Sequence, residues 1–441
     1  MFASKLGAIF AAVGSAVGLG NIWRFPYLAG QNGGGAFLFV YLLCVLAIGI
    51  PVMLAEFYIG RRSRRNPVSA MQSLAPGSIW AWAGYLGVFC AILINGFYYV
   101  VAGWTLEYLY LSVRGGFADK TPEELQQLFT AFSSNPYRPV FWMLVFILMT
   151  HFVIMYGVRS GIEWASKIMM PVLFAVLALL CLRAITLPGA GAGLAFLFYP
   201  DFSKFGPSLI LSAMSQAFFS LSLGMGCMIT YSSYFTKETN LQSSAFSISM
   251  LDTLVAVLAG IVIFPAVFCF GIAPTQGPEL VFITLPTVFQ QMPLGTFWAA
   301  LFFILLILAA LTSTISLHEV FTVYLHERLH ISRRRATAYT SVLSAVLGVF
   351  SALSFGVLSG YTLFSMTFFD ILVFTTTNVI LPTGAFAFCL FVGWRAGRSN
   401  VLDEMTSGGT MPFYCFRLYM FLLKYILPVA IGLIFVWGIL K

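Results

Sequence analysis

The chain has 441 residues, of which 60% are hydrophobic and 9% charged, with a formal net charge of +8. Those proportions exclude a soluble globular protein. A positive balance suits nucleic acid in general, but its placement along this chain assigns it to membrane topology, and no nucleic-acid partner is expected.

Eleven apolar segments are predicted, each long enough for the ~20 residues that cross a bilayer. They are α1 (5–30), α2 (35–60), α3 (80–111), α4 (139–156), α5 (162–184), α6 (206–235), α7 (243–270), α8 (295–326), α9 (333–353), α10 (364–392) and α11 (414–439). Arg61, Arg62, Arg64 and Arg65 follow α2, and Arg328, Arg333, Arg334 and Arg335 follow α8; Arg159, Lys167, Lys237, Arg395 and Arg398 come after α4, α6 and α10. The alternate connections carry only Arg114, Lys120, Arg138, Arg183, Lys204 and Lys441. The basic side stays in the cytoplasm, so the N-terminus is expected there and the C-terminus outside. The seven cysteines lie in or beside apolar segments with no C-x-x-C pair, and read as small core residues rather than disulfides or metal ligands.

Predicted α1 is wrong for a plain membrane helix. It reads G-S-A-V-G-L-G-N-I-W-R-F-P from Gly14 to Pro26: Gly14, Gly18 and Gly20 weaken the helix, Asn21 adds an amide and Arg24 a full charge. Backbone groups freed in hydrocarbon must find partners, so a break here lines a cavity or binds something. Half-helix ends offer carbonyls to a cation and amides to an anion. Glycines alone more often mark a packing face; Asn21 and Arg24 tip the reading toward a site.

In α2, Glu56 is expected to accept hydrogen bonds from amides freed elsewhere rather than to hold an ion. In α3, Tyr98 falls mid-span, where its hydroxyl needs a specific partner. In α5, nine residues separate Gly161 from Pro171; the proline removes a backbone donor and the glycine tolerates unusual torsions, so this end should unwind at low cost. α6 carries a second interruption, Phe218 to Gly226 (F-F-S-L-S-L-G-M-G), and two interrupted segments in corresponding places point to a midplane site. In α7, an unpaired Asp252 in hydrocarbon would cost roughly 2.5 kcal/mol or more, so it requires a cation or a proton. α8 carries Ala309-Ala310-Leu311-Thr312-Ser313-Thr314, whose hydroxyls either return bonds to their own helix or ligate a hard cation. Asp370, near the start of α10, is a partner for Arg24 across the mouth of a cavity.

The Gly14–Pro26 string, with Asn32-Gly33-Gly34-Gly35-Ala36-Phe37 after it, resembles the first helix of the neurotransmitter:sodium symporters, bacterial amino-acid branch. Tyr98 six residues before Trp104, Asp252 seven before Ala259-Gly260-Ile261-Val262-Ile263-Phe264, and the A-x-L-T-S string from Ala309 extend the resemblance over α1 to α10. It implies an all-α integral membrane protein of about eleven helices. Two inverted five-helix repeats (1–184 and 206–392), with α1 and α6 broken at mid-membrane, precede an additional helix within 414–441. The implied function is sodium-coupled symport of hydrophobic or aromatic α-amino acids by alternating access, not enzymatic catalysis. Alternatives are a proton-coupled transporter of the same fold or a non-transporting amino-acid sensor.

By this resemblance a first sodium ion would meet the carbonyls of Ala16 and Ser220, the Ser220 hydroxyl, Asn21 and Asp252. A second would meet the carbonyls of Gly14, Val17 and Ala309 and the hydroxyls of Thr312 and Ser313. The substrate carboxylate would take the Leu19 and Gly20 amides and the Tyr98 hydroxyl, and the ammonium the carbonyls of Ala16, Phe219 and Ser220. Ser222 and Ser313 belong to the same pocket, and Ile94, Phe219, Met225 and Leu317 line its side-chain end. Gly18 stands where monoamine carriers have an aspartate, so the substrate brings its own carboxylate. No organic cofactor is implied. Chloride is not expected either: Tyr41, Gln216 and Ser220 match chloride ligands of relatives, but Asp252 adds a carboxylate and Ala256 removes a hydroxyl. Arg24 and Asp370 would form the outer gate, and Tyr234 and Glu327 the inner one, although the arginine that relatives place before residue 5 to meet that acid is missing. Gly161 and Pro171 would permit unwinding. The absence of N-x-S/T sequons and the short 112–138 connection favour a bacterial inner membrane, with no requirement for an oligomer.

Overall fold

A computed structural model of the chain describes residues 2, 4–270 and 280–440; Lys441, counted above in the charge asymmetry, lies outside them. Among the described residues nine helices are long and apolar enough to cross a membrane, and a bent pair makes a tenth span. In chain order the spans are α1 (Leu6–Ala16 and Gly20–Gln31), α2 (Gly35–Ser63), α3 (Ala81–Val113), α4 (Arg138–Met155), α5 (Val158–Ile185), α7 (Leu241–Cys269), α8 (Gly295–Arg328), α9 (Arg333–Leu353), α10 (Phe368–Arg395) and α11 (Phe416–Leu440). The eleventh predicted segment, α6, is two shorter helices, Pro207–Ser220 and Cys227–Ser232. Short helices at Pro67–Leu74, Pro122–Ser133, Ala190–Phe198, Leu285–Gln290 and Arg398–Met405 sit between spans.

The packing order follows from which helices carry small and polar residues. In α3 89% of the apolar stretch is buried inside the bundle, against 28% in α11, so α3 is central and α11 peripheral. Glycine lets central backbones approach: a Cβ at Gly103 of α3 would meet the Met143 backbone nitrogen of α4 at 2.6 Å.

Both predicted breaks are present. The halves of α1 meet at 50°, and Val17 leaves the helix with φ −66° and ψ 116°. In α6 the chain is non-helical between Ser220 and Cys227, with φ of 54° at Ser222, 81° at Gly224 and 76° at Gly226. Gly224 is doubly constrained, because a Cβ there would also run into the Leu381 carbonyl of α10. Its freed amide donates to Glu56 Oε1 at 2.7 Å, the role expected for Glu56. Without that carboxylate a buried N–H would go unpaired.

The charges after α2 are not all free loop charges. Arg61 is 3% exposed; its Nε is 2.5 Å from Glu404 Oε1 and its Nη1 donates to the Thr239 carbonyl at 2.6 Å. The Arg398–Met405 helix thus covers the end of α2, and a residue expected as a loop charge becomes a buried tie.

Candidate substrate and ion site between the two broken helices

The breaks in α1 and α6 face each other across a cavity of about 30 Å³. Eleven of the twelve residues predicted to hold substrate line it: Ala16, Gly18 and Gly20 from α1, Ile94 and Tyr98 from α3, Phe219, Ser220, Ser222 and Met225 from α6, and Ser313 and Leu317 from α8. Leu19 lines a neighbouring cavity instead, but its amide donates to the Tyr98 hydroxyl at 3.0 Å. Ser15 and Ser316 also line the central cavity and were not singled out; Ser15 lies within the Gly14–Pro26 string, one residue before Ala16, and Ser316 lies just past the Ala309–Thr314 string, three residues after Ser313. Gly18 is required by space: a Cβ there would run into Ser313 Oγ and come within 2.9 Å of the Tyr98 hydroxyl. Gly18 also donates its amide to Asn21 Oδ1 at 2.9 Å, which turns the broken strand of α1 back on itself.

Two oxygen-rich clusters flank the cavity. In one, Asp252 is fully buried. Asn21 Nδ2 donates to Asp252 Oδ1 at 2.7 Å, to the Asp252 carbonyl at 3.0 Å and to Ser220 Oγ at 3.0 Å. Ser220 Oγ donates to Asp252 Oδ2 at 2.6 Å, and the Tyr41 hydroxyl lies 3.5 Å from the same oxygen. α1, α6 and α7 therefore meet on one carboxylate. In the other, Thr312 Oγ1 is 3.2 Å from the Val17 carbonyl oxygen and 2.9 Å from that of Ala309, while Ser313 Oγ is 3.2 Å from the Val17 oxygen. A Cβ at Gly14 would meet Thr312 Cβ at 3.2 Å, so all five residues predicted for the second ion converge. Apart from the Asn21 amide nitrogen that faces Asp252, the groups gathered in both clusters are oxygens, the chemistry of a hard cation.

The gates depart from expectation in their partners. Arg24 does not reach Asp370. Its Nη1 donates to Gln216 Oε1 at 3.0 Å and its Nη2 to Ser215 Oγ at 3.1 Å, while Asp370 caps α10 by accepting from the Thr367 hydroxyl at 2.7 Å. Both line one cavity of about 320 Å³, with Phe219 between it and the central site. At the other end Tyr234 donates not to Glu327 but to Glu319 Oε1 at 2.7 Å, and Arg333 reaches Glu319 at 3.0 and 2.5 Å. Glu327 accepts instead from the Asn66 backbone at 3.0 Å and side-chain amide at 2.6 Å. Glu319 is the acid that sequence reasoning missed; an ionisable residue deep in an apolar helix was the available signal. Gly161 and Pro171 lie where expected in α5, whose first turn, Val158–Glu163, is π-helical.

A family model described as the sodium:neurotransmitter symporter family matches residues 1–127 and 129–441. The chain belongs to that family. It is therefore a membrane transporter and not an enzyme, and the α1 and α6 breaks are those of the 5+5 inverted-repeat fold. This symporter is similar to an uncharacterized sodium-dependent transporter, YhdH, of Bacillus subtilis, at 41% identity over 98% of this chain and 96% of that one. It is 35% identical to a Haemophilus influenzae sodium-dependent transporter over 99% and 97%. The human sodium- and chloride-dependent taurine transporter is 28% identical over 91% of this chain and 72% of its own. Among solved structures, MhsT in complex with L-phenylalanine superposes with a TM-score of 0.91 at 45% identity, covering 99% of each chain.

Proposed function

We propose that this symporter couples sodium to the uptake of hydrophobic and aromatic α-amino acids, working from a bacterial inner membrane with its N-terminus in the cytoplasm. The reading is carried by one observation: Ser220 and Ser313 both line the central cavity, and each also belongs to one of the two flanking oxygen clusters. The likeness to a phenylalanine-bound transporter and to sodium-dependent relatives supports it. In this reading the Asp252 cluster holds the first sodium, with the Asn21 amide turned to present its oxygen, and the Thr312–Ser313 cluster holds the second. Substrate carboxylate and first sodium share α1, so each supplies charge the other needs in a dry cavity; this is the coupling. The repeats run over 1–184 and 206–392, and the Arg24–Asp370 side faces outward.

The side-chain end offers Ile94, Phe219, Met225 and Leu317 and no charge. The whole cavity, at about 30 Å³, is too small for a large side chain, so one enters by displacing Met225, a deformable residue on a non-helical stretch. Chloride is excluded by Asp252: at about 5 Å and an effective dielectric near 20, two like charges repel by about 3 kcal/mol. The test is binding of labelled L-phenylalanine to purified protein. Sodium should be required, leucine, tyrosine and tryptophan should compete, and chloride and gluconate media should give equal affinity. Competition by glutamate or lysine would sink the substrate class, and stimulation by chloride would show that Asp252 carries no charge facing that site.

A further inference from the structure

Helices α10 and α11 touch at two levels and part between them. At one level both pass through π-helical turns, Phe391–Arg395 and Leu422–Ile426. There Trp394 Nε1 donates to the Lys424 carbonyl at 3.3 Å, and a Cβ at Gly393 would meet the Leu423 carbonyl oxygen at 3.2 Å. At the other level a Cβ at Gly438 would meet Asn378 Cβ at 3.1 Å. Gly432 lies between, six residues from Gly438 and eight from Lys424, about 9 and 12 Å along the helix. A Cβ on Gly432 would meet nothing within 4 Å. The gap is a groove of about 250 Å³ lined by Pro382, Thr383 and Phe386 of α10 and Ile431, Gly432 and Phe435 of α11. Its one hydroxyl, on Thr383, donates to the Val379 carbonyl of its own helix at 2.6 Å.

α11 is the peripheral helix, and its neighbouring side chains Val429, Leu433 and Val436 are 64%, 57% and 52% exposed. Hydrocarbon therefore fills the groove, and the charges at its closed end say what kind of molecule carries that hydrocarbon. Lys424 Nζ stands over the Trp394 ring at 5.3 Å, and Trp394 meets Tyr425 edge-on at 5.7 Å, an aromatic pair of the kind that marks the membrane–water boundary. Arg395 comes next after Trp394 and is exposed. Among the described residues neither Arg395 nor Lys424 forms an ion pair. A headgroup with net negative charge meets two unpaired cations there. A choline headgroup meets two like charges, and Lys424 already occupies a face of the tryptophan that would attract it.

We propose that the α10–α11 groove binds one anionic phospholipid, with an acyl chain laid over Gly432 and the phosphate held by Arg395 and Lys424. The site is separate from the substrate cavity but one helix away from it. On its opposite face α10 packs on the α6 break, where a Cβ at Gly384 would run into the Gly224 carbonyl. The lipid thus backs the helix on which that break rests.

The test is native mass spectrometry of the full chain in detergent, titrated with phosphatidylglycerol or phosphatidylcholine carrying the same acyl chains. One phosphatidylglycerol should be retained about fivefold or more tightly than phosphatidylcholine, the effect of at least one cation at the membrane surface. Gly432→Leu puts a better helix former into open space, so the protein should fold and lose the tightly held lipid. Arg395→Gln with Lys424→Gln should bring phosphatidylglycerol down to the level of phosphatidylcholine and leave the latter unchanged. Val429→Leu, which lengthens an exposed side chain outside the groove, should be silent. Full retention in Gly432→Leu, or an equal loss in Val429→Leu, would overturn the groove as the site. Equal affinity for the two lipids in the unmodified protein would overturn the anionic headgroup. A dimer abolished by Gly432→Leu, with no lipid retained, would assign the groove to a second copy of the chain and overturn the proposal.

Discussion

The Glu319 end and the Arg24 end of the central cavity are built from the same kinds of residue and stand in opposite states. Glu319 is fully buried and accepts from Tyr234 and from both terminal nitrogens of Arg333, joining α6, α8 and α9. At the other end Arg24 is bonded to Ser215 and Gln216, Asp370 is turned back on Thr367, and about 320 Å³ of cavity is bordered by both. An opposite-charge pair is made and dry in one place, and held apart in the other. Opening the Glu319 end means separating and hydrating three bonded groups at once, while closing the Arg24 end means exchanging local bonds for a pair. The two steps therefore differ in how much each residue matters.

The largest effect should come from breaking the made pair. Glu319→Ala leaves Arg333 without its carboxylate, a loss of about 3–5 kcal/mol for a buried pair. Amino-acid uptake should fall by about a hundredfold or more, and amides of Leu6–Ala16 should exchange faster; a normal uptake rate would mean that this latch does not control the path. Next is the cluster between the two ends. Thr312→Ala with Ser313→Ala removes two hydroxyls worth about 1 kcal/mol each, so the sodium concentration for half-maximal uptake should rise about thirtyfold. An unchanged value would place the second ion elsewhere. Asp370→Asn should do least. It loses part of a helix cap, typically about 0.5–1 kcal/mol, and should slow uptake a few-fold while substrate affinity in sodium stays within about threefold. A loss as large as that of Glu319→Ala would erase the asymmetry between the ends.

The same asymmetry marks what could be read from the sequence. The α1 string was legible because glycines, an asparagine and an arginine are each out of place in an apolar segment, and the α6 break because it repeats that anomaly in the other half. Thr312 and Ser313 were legible as a string. The partners of charged residues were not. Glu319 and Glu327 sit eight residues apart on α8, about 80° around the helix, and nothing local says that the first faces Tyr234 and Arg333 while the second faces Asn66. Arg61 looked like a loop charge because the helix that buries it, Arg398–Met405, arrives from more than 300 residues away. Arg24 found neighbours on α6 that no spacing rule marks. Backbone breaks are local chemistry and show in sequence; ion pairing depends on helix rotation and distant packing.

The most direct test of the central claim is uptake of labelled L-phenylalanine into proteoliposomes holding the purified protein, with the ion gradient imposed from outside. An inward sodium gradient should drive accumulation above the external concentration, equally in chloride and gluconate, and collapsing the sodium gradient should abolish it. Accumulation driven by a proton gradient in sodium-free buffer would contradict sodium coupling, and tight binding with no accumulation under either gradient would contradict transport itself.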